Sequence, residues 1–381
     1  MTAPRPLPRP DRERALTAAQ LNRATLARQM LLDRPSGVGV VAAVERLAGM
    51  QAQEPRHPFV GLWTRLEDFE DVALLRALRE RSLVRATLMR STLHLLSAAD
   101  YVALRVALQP PMSVALRVLG ARARDLDPDE VLPAARALLA GSPLTFDEIR
   151  ARLQEQFPGV DERALGYAVR TLLPLVMVPS EDARWGFGRS AQFALAEEWL
   201  GEPLAEDGAE QALVRRYLGA FGPASAQDVQ AWSGVGGRKA VLDGMRDELE
   251  VFTDETGRRT LFDLPDAPRP APDVPAPPRL LPEFDNLMLA WDDRSRVIAD
   301  EHRPLVTTKN LRVKATFLVD GVVAGTWALA VKRGVATLTL EPFSGKVVAK
   351  RVLKELEAEA ERLVRLAEPG AKDHAVAVAE A

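Results

Sequence analysis

Two glutamines separated by one residue, Gln51 and Gln53, are the side chains of this sequence best suited by type and spacing to chemistry. They follow an apolar pattern that predicts a helix over 39–50, and two prolines come within the next five residues. Proline removes a backbone donor and disfavours helix in the residue before it, so the pair is predicted to lie on an extended segment. Residues two apart on such a segment point to the same side, which would place two amides together with Ala52 facing away.

Two adjacent amides can hold a water molecule between them, because each amide carries both a hydrogen-bond donor and an acceptor. They cannot deprotonate that water, since an amide does not titrate usefully. The pair therefore suits hydrolysis of a bond whose leaving group is already activated. The alternative is that Gln51 and Gln53 only satisfy the backbone of a loop, which their spacing alone does not exclude.

Three stretches of the sequence resemble a known family of DNA-repair enzymes. They are 46–66, which contains both glutamines, 88–96 (LMRSTLHLL) and 280–298 (LLPEFDNLMLAWDDRSRVI). On these residues the chain resembles the AlkZ/YcaQ-like winged-helix DNA glycosylases, first recognised through resistance to the DNA-crosslinking natural product azinomycin. The family motif is Gln, an apolar residue and then Gln or Asp, so Gln-Ala-Gln at 51–53 looks like the AlkZ branch. Alanine in the middle position is a small departure.

The resemblance implies a monofunctional DNA glycosylase that acts on cationic alkylated purines of the N7-alkylguanine type in double-stranded DNA. Such a base departs readily, because cleavage of the glycosidic bond neutralises its positive charge. The enzyme then needs only to orient water and to stabilise an oxocarbenium-like sugar. The motifs leave open whether interstrand crosslinks are also unhooked. The candidate site residues are the catalytic pair Gln51 and Gln53 and four side chains expected to contact DNA, Arg56, His94, Lys332 and Arg333.

Each candidate for DNA contact has a structural alternative. His94 lies in a β-like run and could equally be a hydrogen-bonded core histidine, and Arg56 could be an ordinary surface arginine. Lys332 and Arg333 fall at the tip of a predicted hairpin, where a member of the family would place its DNA-probing hairpin. Charged side chains are also common at exposed tips. The segment 285–286 is interpreted as structural, shaping the cleft.

Composition limits the classes of protein to which this chain can belong. The chain has 381 residues, of which 47% are hydrophobic and 27% charged, as expected for a soluble globular protein of two to four units. The absence of cysteine excludes disulfides, thiolate catalysis and Cys-based zinc sites. The four histidines show no metal-binding spacing, so neither a metal nor a cofactor is expected.

Location and partners are predicted from the same features. No stretch approaches the ~18 consecutive apolar residues of a membrane span, and no apolar segment follows the N-terminal Pro and Arg residues. A cytoplasmic, nucleoid-associated monomer with no membrane partner is therefore expected. The net charge is -3, but DNA contact depends on how charge is distributed. Every basic side chain before Lys239 is Arg, which suits bidentate phosphate contact or reflects genomic base composition.

The predicted fold class is α+β and mainly helical, with tandem winged-helix (helix-turn-helix) units followed by a β-rich C-terminal module. The resemblance implies that these form a C-shaped, DNA-binding architecture. The predicted divisions are a disordered tail at 1–16, winged helix 1 with the glutamine motif at 17–110, winged helix 2 at 111–205, winged helix 3 at 206–265, a Pro-rich linker at 266–279, the C-terminal module with its hairpin and helix at 280–368, and a tail at 369–381.

Helical and alternating patterns support these divisions. The first unit shows helices at 16–32, 38–50 and 71–81, then β-like runs at 83–87 and 92–97. The second and third units share a turn followed by a helix N-cap, at Thr145 and Ser225, which indicates a repeat. The remaining predicted elements are helices at 127–139, 147–157, 162–173, 226–232, 238–249 and 346–367, and strands at 175–179, 192–196, 251–254, 260–264, 316–319, 322–331 and 335–340.

Two other functions are compatible with such a fold. The first is a non-catalytic winged-helix transcription regulator, which would read an operator through the third helix of each unit. A regulator should carry a dimerisation element, and no heptad seam is visible; the glutamine pair also follows the second helix, not the third. The second is a structural or partner-binding protein, which salt-sensitive duplex binding would argue against.

Overall fold

The computed structural model describes residues 14–310, 312–344 and 348–379. It is an α+β structure, as predicted. Of the tail expected at 1–16, residues 1–13 lie outside the described part of the chain. The elements of the first part of the chain are β1 (Ala15–Leu16), α1 (Ala18–Arg28), α2 (Val40–Arg46), β2 (Met50–Gln51), α3 (His57–Trp63), α4 (Asp71–Arg79), β3 (Leu83–Thr87), β4 (Leu93–Ser97), α5 (Ala98–Leu104) and α6 (Gln109–Ala115).

The helix expected to run to residue 50 ends earlier, which brings the glutamine motif into a strand. Ala48 and Gly49 have φ of 54° and 81°, so the chain leaves α2 through a left-handed turn. A Cβ atom at Gly49 would lie 2.8 Å from Leu96 Cδ1 and 3.0 Å from the Leu95 oxygen, so only glycine fits. One of the two prolines after the motif, Pro58, has a further role that the sequence did not indicate. Pro58 lies in the first turn of α3, where its missing N–H is tolerated.

The middle of the chain contains the predicted repeat of helices and strands. Thr145 and Ser225 are N-caps, each in a reciprocal capping box, so both cap predictions are confirmed. The second part contains α7 (Pro128–Leu139), β5 (Leu144–Thr145), α8 (Phe146–Gln156), α9 (Glu162–Leu172), β6 (Leu175–Met177), β7 (Gln192–Leu195) and α10 (Ala196–Leu200). The third part contains α11 (Ala209–Phe221), α12 (Ala226–Ser233), α13 (Arg238–Gly244), β8 (Glu250–Asp254) and β9 (Thr260–Asp263).

Two sheets join parts of the chain that the sequence predicted as separate. In the described residues one sheet has the order β2-β4-β3-β6-β7-β5, and Arg85 of β3 pairs with Met177 of β6 across the expected first boundary. A smaller sheet has the order β1-β8-β9. The prediction of a disordered tail is therefore wrong for 14–16. Leu16 packs against an apolar cluster that includes Phe252, and β1 pairs in parallel with β8.

The C-terminal part is built on a third sheet, with the order β10-β11-β12-β13-β14. Both predicted turns are tight hairpins whose central residues have positive φ, at 320–321 and at 333–334. The predicted linker, 266–279, ends one residue early, because Arg279 begins a strand. The elements are β10 (Arg279–Leu281), α14 (Arg303–Val306), β11 (Thr316–Val319), β12 (Val322–Lys332), β13 (Val335–Pro342), α15 (Lys350–Ala367) and β14 (Asp373–Val378).

The prediction of a C-terminal tail at 369–381 is wrong for Asp373–Val378. This segment forms β14, which lies parallel to β13 from Asp373, opposite Val335, to Val378, opposite Leu340. An uncovered β13 would present unpaired N–H and C=O groups along its edge. The chain returning from α15 satisfies them, and residues 380–381 lie outside the described part.

The largest core cluster joins segments from all parts of the chain. Helix α1 is fixed to the third part by a buried ion pair of Arg28 and Asp263, whose closest atoms are 2.7 Å apart. The Asn22 amide on the same helix donates to the carbonyls of Arg296 and Gly321 in the C-terminal part. Trp291 is fully buried and donates to the Phe221 carbonyl. These contacts join α1, the third part and the C-terminal part in one packed framework.

No single helix of the described residues is long and apolar enough to cross a membrane. The helix pair Ala98–Leu104 and Gln109–Ala123, bent by 73°, meets the length and composition criteria together. Tyr101, Leu104 and Met112 of this pair are buried in the core of the protein.

Candidate active site

Gln51 lies at the end of β2, on the edge of the sheet, and this confirms the predicted extended geometry at that residue. β2 pairs antiparallel with β4, so Gln51 lies directly opposite His94 and shares its face of the sheet. The Ala52 N–H donates to the Leu93 carbonyl at 2.8 Å, and the Ala52 side chain is fully buried. Gln53 follows in a bend and is partly buried.

Arg85 fixes the backbone of the motif. It lies on β3, and its guanidinium donates from Nε to the Ala52 carbonyl at 2.8 Å and from Nη2 to the Gln53 carbonyl at 3.0 Å. The guanidinium also lies over the Phe187 ring, 5.1 Å from its centroid. Burial lowers the pKa of Arg85 to about 10, so the side chain stays charged at neutral pH. Two successive carbonyls of the motif are thereby held by one rigid group.

Arg90 fixes the side chain of the motif's first glutamine. It lies in the loop between β3 and β4, and Nη2 donates to Gln51 Oε1 at 3.0 Å. Nη1 donates to the carbonyl of Trp232, near the end of α12. Burial, and then the nearby Arg294, lower the pKa of Arg90 to about 10. Gln51 itself is 7% exposed, so its amide is held in a largely desolvated position.

Gln53 presents an acceptor with no partner. Its Oε1 atom is buried and accepts no hydrogen bond from any described residue. A buried polar atom without a partner costs about 1–3 kcal/mol, and such atoms are rare enough to require an explanation. Beside Gln51, the arrangement suits a site that a water molecule or a substrate group completes.

His94 is 2% exposed and uncharged. Its Nδ1–H donates to the Thr92 carbonyl at 3.0 Å. Burial, and then the charge of Arg90, lower the pKa of His94 to about 3. This burial agrees with the alternative of a core histidine, and contact of His94 with DNA stays a prediction. His94 packs beside Gln51 as its cross-strand neighbour.

Arg56 lies at the N-terminus of α3 and lines a cavity of about 360 Å³. The opposite wall comes from β12 and includes Trp327. His57 also lines the cavity, and neither of its ring nitrogens has a hydrogen-bond partner among the described residues. Burial, and then the charge of Arg56, lower the pKa of His57 to about 3. Arg56 therefore lies where the segment after the motif meets the C-terminal sheet.

Lys332 and Arg333 are exposed at the tip of the β12–β13 hairpin. Neither cation forms an ion pair with a described residue. The tip is supported on one side by β14, which reaches the level of Val335, and β11 pairs with β12 only as far as Thr326. Beyond Trp327, whose N–H donates to the Ala315 carbonyl, no described strand pairs with this edge of β12. The stem of the hairpin, through Trp327, Ala328 and Leu329, lines the Arg56 cavity, and the tip does not.

The sequence profile described as DNA glycosylase AlkZ-like matches residues 44–366 of this chain. The chain belongs to the AlkZ-like DNA glycosylase family. The interstrand DNA cross-link repair glycosylase of Streptomyces sahachiroi is 28% identical over 363 residues, covering 89% of this chain and 94% of that protein. The solved structure of Streptomyces sahachiroi DNA glycosylase AlkZ matches with a TM-score of 0.77 and 24% identity, over 96% of this chain and 100% of that one. That structural match shows a shared fold.

This AlkZ-like protein is thus a DNA glycosylase of DNA repair, and the alternative of a non-catalytic regulator is not favoured. No group of three or more His, Asp or Glu side chains in the described ranges could hold a metal ion.

The structural interpretation of 285–286 fits the AlkZ-like structure. Asp285 accepts two hydrogen bonds of 2.9 Å from the buried guanidinium of Arg65. Asn286 donates to the carbonyls of Leu47 and Gly49, in the turn just before β2. Asn286 thus fixes the turn by which the chain enters the motif.

Arg85 and Arg90 are the site residues that sequence reasoning missed. Arg85 precedes the resembling stretch 88–96 and Arg90 lies within it, but the sequence alone gave neither residue a role. Arg90 contacts a carbonyl 142 residues away, which no local spacing reveals. A weak signal did exist, because an arginine in the interior of an apolar strand such as β3 requires buried acceptors.

Proposed function

We propose that this glycosylase is monofunctional and hydrolyses the N-glycosidic bond of cationic alkylated purines, of the N7-alkylguanine type, in double-stranded DNA. The observation that carries the proposal is the amide pair Gln51 and Gln53, fixed by two arginines and without a titratable side chain at either position. Such a pair can orient water but cannot act as a general base.

The bonds and charges of this reaction balance without a general base from the protein. The oxygen of water forms a bond to C1′ as the C1′–N9 bond breaks, and the electron pair of that bond neutralises the cationic purine. The extra proton of the attacking water passes to solvent. A neutral base would instead need protonation to depart, and the histidine nearest the motif, His94, is held uncharged by burial.

The proposed function also implies a shape for the DNA-binding surface. The second and third parts repeat a capped helix, a further helix and a strand pair, which supports tandem winged-helix units with the divisions expected from sequence. These units and the C-terminal module would form a C-shaped surface on one DNA duplex, bound by a monomer at the nucleoid of the cytoplasm. Arg56, Lys332 and Arg333 would contact its phosphates, since none of the three forms an ion pair within the described residues.

Crosslinked lesions fit the same chemistry. The relative from Streptomyces sahachiroi is named for interstrand cross-link repair. A crosslink attached through N7 of guanine leaves that purine cationic, just as a simple alkyl group does. We therefore include N7-linked crosslinks in the proposed substrate class.

The test is release of the base from a duplex that carries one N7-methylguanine. The purified protein should release it in a single turnover, without cutting the strand until heat or alkali is applied. Gln51→Ala and Gln53→Ala should each slow release by about 5- to 150-fold, since one lost hydrogen bond is worth about 1–3 kcal/mol. Glu54→Gln is the matched control, because it removes the adjacent exposed carboxylate and should leave the rate unchanged.

A second duplex carrying uracil tests the substrate class. Release of uracil at a rate comparable to N7-methylguanine would contradict the proposal, because the amide pair offers no acid for a neutral leaving group. Wild-type release by a Gln51→Ala/Gln53→Ala double variant would contradict it as well. Loss of release by Glu54→Gln would move the catalytic role from the amides to that carboxylate.

A further inference from the structure

The contact between Arg90 and Gln51 determines how the amide is oriented. A guanidinium has five N–H donors and no acceptor. The atom of Gln51 that lies 3.0 Å from Arg90 Nη2 is therefore the amide oxygen, and the amide nitrogen must point away from the arginine. That nitrogen makes no hydrogen bond to a described residue. Arg90 thus occupies one of the two lone pairs of the Gln51 oxygen, and the N–H donors are the part of this amide that no described residue occupies.

Gln53 has the complementary state. Its Oε1 atom is buried and receives no hydrogen bond within the described ranges, so the motif combines an acceptor without a partner at Gln53 with N–H donors at Gln51, two residues earlier in the chain. A water molecule bound between them would accept from Gln51 Nε2 and donate to Gln53 Oε1. One lone pair of that water then remains for attack on C1′.

We propose that Arg90 is a positioning residue that gives the two glutamines different roles. By orienting Gln51, it makes Gln51 the donor to the hydrolytic water and leaves Gln53 as the acceptor from it. The proposal rests on the proposed function, in which these amides orient that water. It goes beyond that function, since two symmetric amides would be interchangeable and these two are not.

The position of Arg90 is itself fixed from two directions. Its Nη1 donates to the Trp232 carbonyl, one of the last carbonyls of α12, and a cation is favoured at the C-terminal end of a helix. Gly234, at φ +78°, follows this helix; a Cβ there would lie 3.4 Å from Arg90 Cα and 3.2 Å from Pro111 Cβ. The third part of the chain therefore packs against the arginine that orients Gln51.

The backbone of the loop supports the same role. Arg90 and Ser91 have φ of 53° and 58°, the left-handed region that is unfavourable for residues with a Cβ. The loop is closed by hydrogen bonds of the Leu88 N–H to the Thr92 oxygen at 3.0 Å and of the Ser91 N–H to the Leu88 oxygen at 2.9 Å. Strain retained in a closed loop is common where a side chain must be aimed.

The first experiment exchanges each amide for its isosteric acid. Glutamate is an acceptor at both oxygens, so Gln53→Glu keeps the acceptor that the proposal requires and Gln51→Glu loses the donor. We expect Gln51→Glu to slow single-turnover release of N7-methylguanine by about 10- to 100-fold, and Gln53→Glu to slow it by less than about 5-fold, from the worth of one hydrogen bond. Equal effects, or the reverse order, would overturn the division of roles.

The second experiment is a double-mutant cycle at Arg90. Arg90→Ala should lower the saturating single-turnover rate by about 10-fold or more, with less than about 3-fold change in the Kd for the same duplex, because the contact it removes is with Gln51 and not with DNA. Arg90→Ala combined with Gln51→Ala should be no slower than Gln51→Ala alone. When Arg90→Ala is combined with Gln53→Ala, the fold-reductions in rate of the two single variants should multiply. Arg294→Ala is the matched control, since it removes a neighbouring charge that does not contact Gln51.

Chemical rescue distinguishes positioning by Arg90 from a purely structural role. If Arg90 positions Gln51, methylguanidinium should restore part of the rate to Arg90→Ala and none to Gln51→Ala. Arg90→Lys, which keeps the charge but cannot reach both acceptors, should have a rate between those of the wild type and Arg90→Ala. If Arg90→Ala does not fold, the Gln→Glu pair and Arg90→Lys still decide the question.

The outcomes also separate this inference from the proposed function. Wild-type release by Gln51→Ala would contradict the proposed function and the inference together. A slow Gln51→Ala beside a wild-type Arg90→Ala, or a double variant slower than Gln51→Ala by the full Arg90→Ala factor, would overturn the inference alone.

Discussion

The buried histidines His57 and His94 should make this protein lose stability as the pH falls below about 6.5. Burial lowers the pKa of each to about 3, against an ordinary value of 6.5. The unfolded chain therefore binds protons between pH 6.5 and 3 that the folded protein does not bind. Stability is present above the unfolded pKa and is lost as the pH falls, by about 1.4 kcal/mol per pH unit for each histidine once the unfolded side chain is charged.

Between pH 6 and pH 5 the expected loss is about 1 kcal/mol for each histidine and about 2 kcal/mol for both. That is a large part of a typical free energy of unfolding of about 5–15 kcal/mol. The assay is urea unfolding followed by tryptophan fluorescence at constant ionic strength from pH 7.5 to 5. Carboxylates such as Asp100, whose pKa is raised chiefly by burial, titrate in the same samples, so the comparison must be between variants.

His57→Leu and His94→Asn isolate the two contributions. Leucine at 57 removes a ring that makes no hydrogen bond among the described residues, and asparagine at 94 keeps a donor for the Thr92 carbonyl. Each variant should show a pH slope smaller than wild type by about 1 kcal/mol between pH 6 and 5, whatever its stability at pH 7.5. If both variants keep the wild-type slope, the histidines are not held neutral and the account of His94 beside the motif is wrong.

Three further results are expected. Base release by the wild type should vary little from pH 6 to 9, because neither motif amide titrates and the pKa of Arg90 is about 10; a bell-shaped profile would indicate a general base that the site lacks. The Lys332→Glu/Arg333→Glu variant should bind duplex more weakly, with the slope of log K against log salt reduced by about one to two phosphate contacts and Tm unchanged; wild-type binding at 150 mM salt would remove the hairpin from the interface. Asp285→Ala should cost about 3–5 kcal/mol of stability, measured by urea unfolding, because it leaves the Arg65 guanidinium buried without its partner; a cost under 1 kcal/mol would contradict that burial.

The features that sequence predicted correctly are determined by a few neighbouring residues. The N-caps at Thr145 and Ser225 depend on a side chain three residues from its partner. The hairpin turns at 320–321 and 333–334 depend on residue pairs that tolerate positive φ. The extended geometry at Gln51 follows from the left-handed turn before it and the prolines after it. Local signals were sufficient for each of these elements.

The features that sequence missed depend on partners far away in the chain. β1 and β14 are strands because β8 and β13 offer unpaired edges, and neither short segment shows this on its own. The roles of Arg85 and Arg90 depend on which carbonyls the folded chain places within reach. Arg90 reaches Gln51 across 39 residues and Trp232 across 142. No spacing rule connects residues at such separations.

This distribution of contacts explains why a three-residue motif requires most of the chain. β2 is a two-residue strand at the edge of a sheet, and so short a segment cannot hold its own geometry. Arg85 from β3 holds the carbonyls of Ala52 and Gln53, which follow β2, and Arg90 holds the side-chain amide of Gln51. Asn286 from the C-terminal part holds the turn before β2. Positioning lowers a barrier only while the reacting groups stay within a fraction of an ångström of the productive geometry. Since the amides of this site have no acid or base strength to compensate for a misplaced water, the rate of base release should depend more on these distant supports than it would for a carboxylate site.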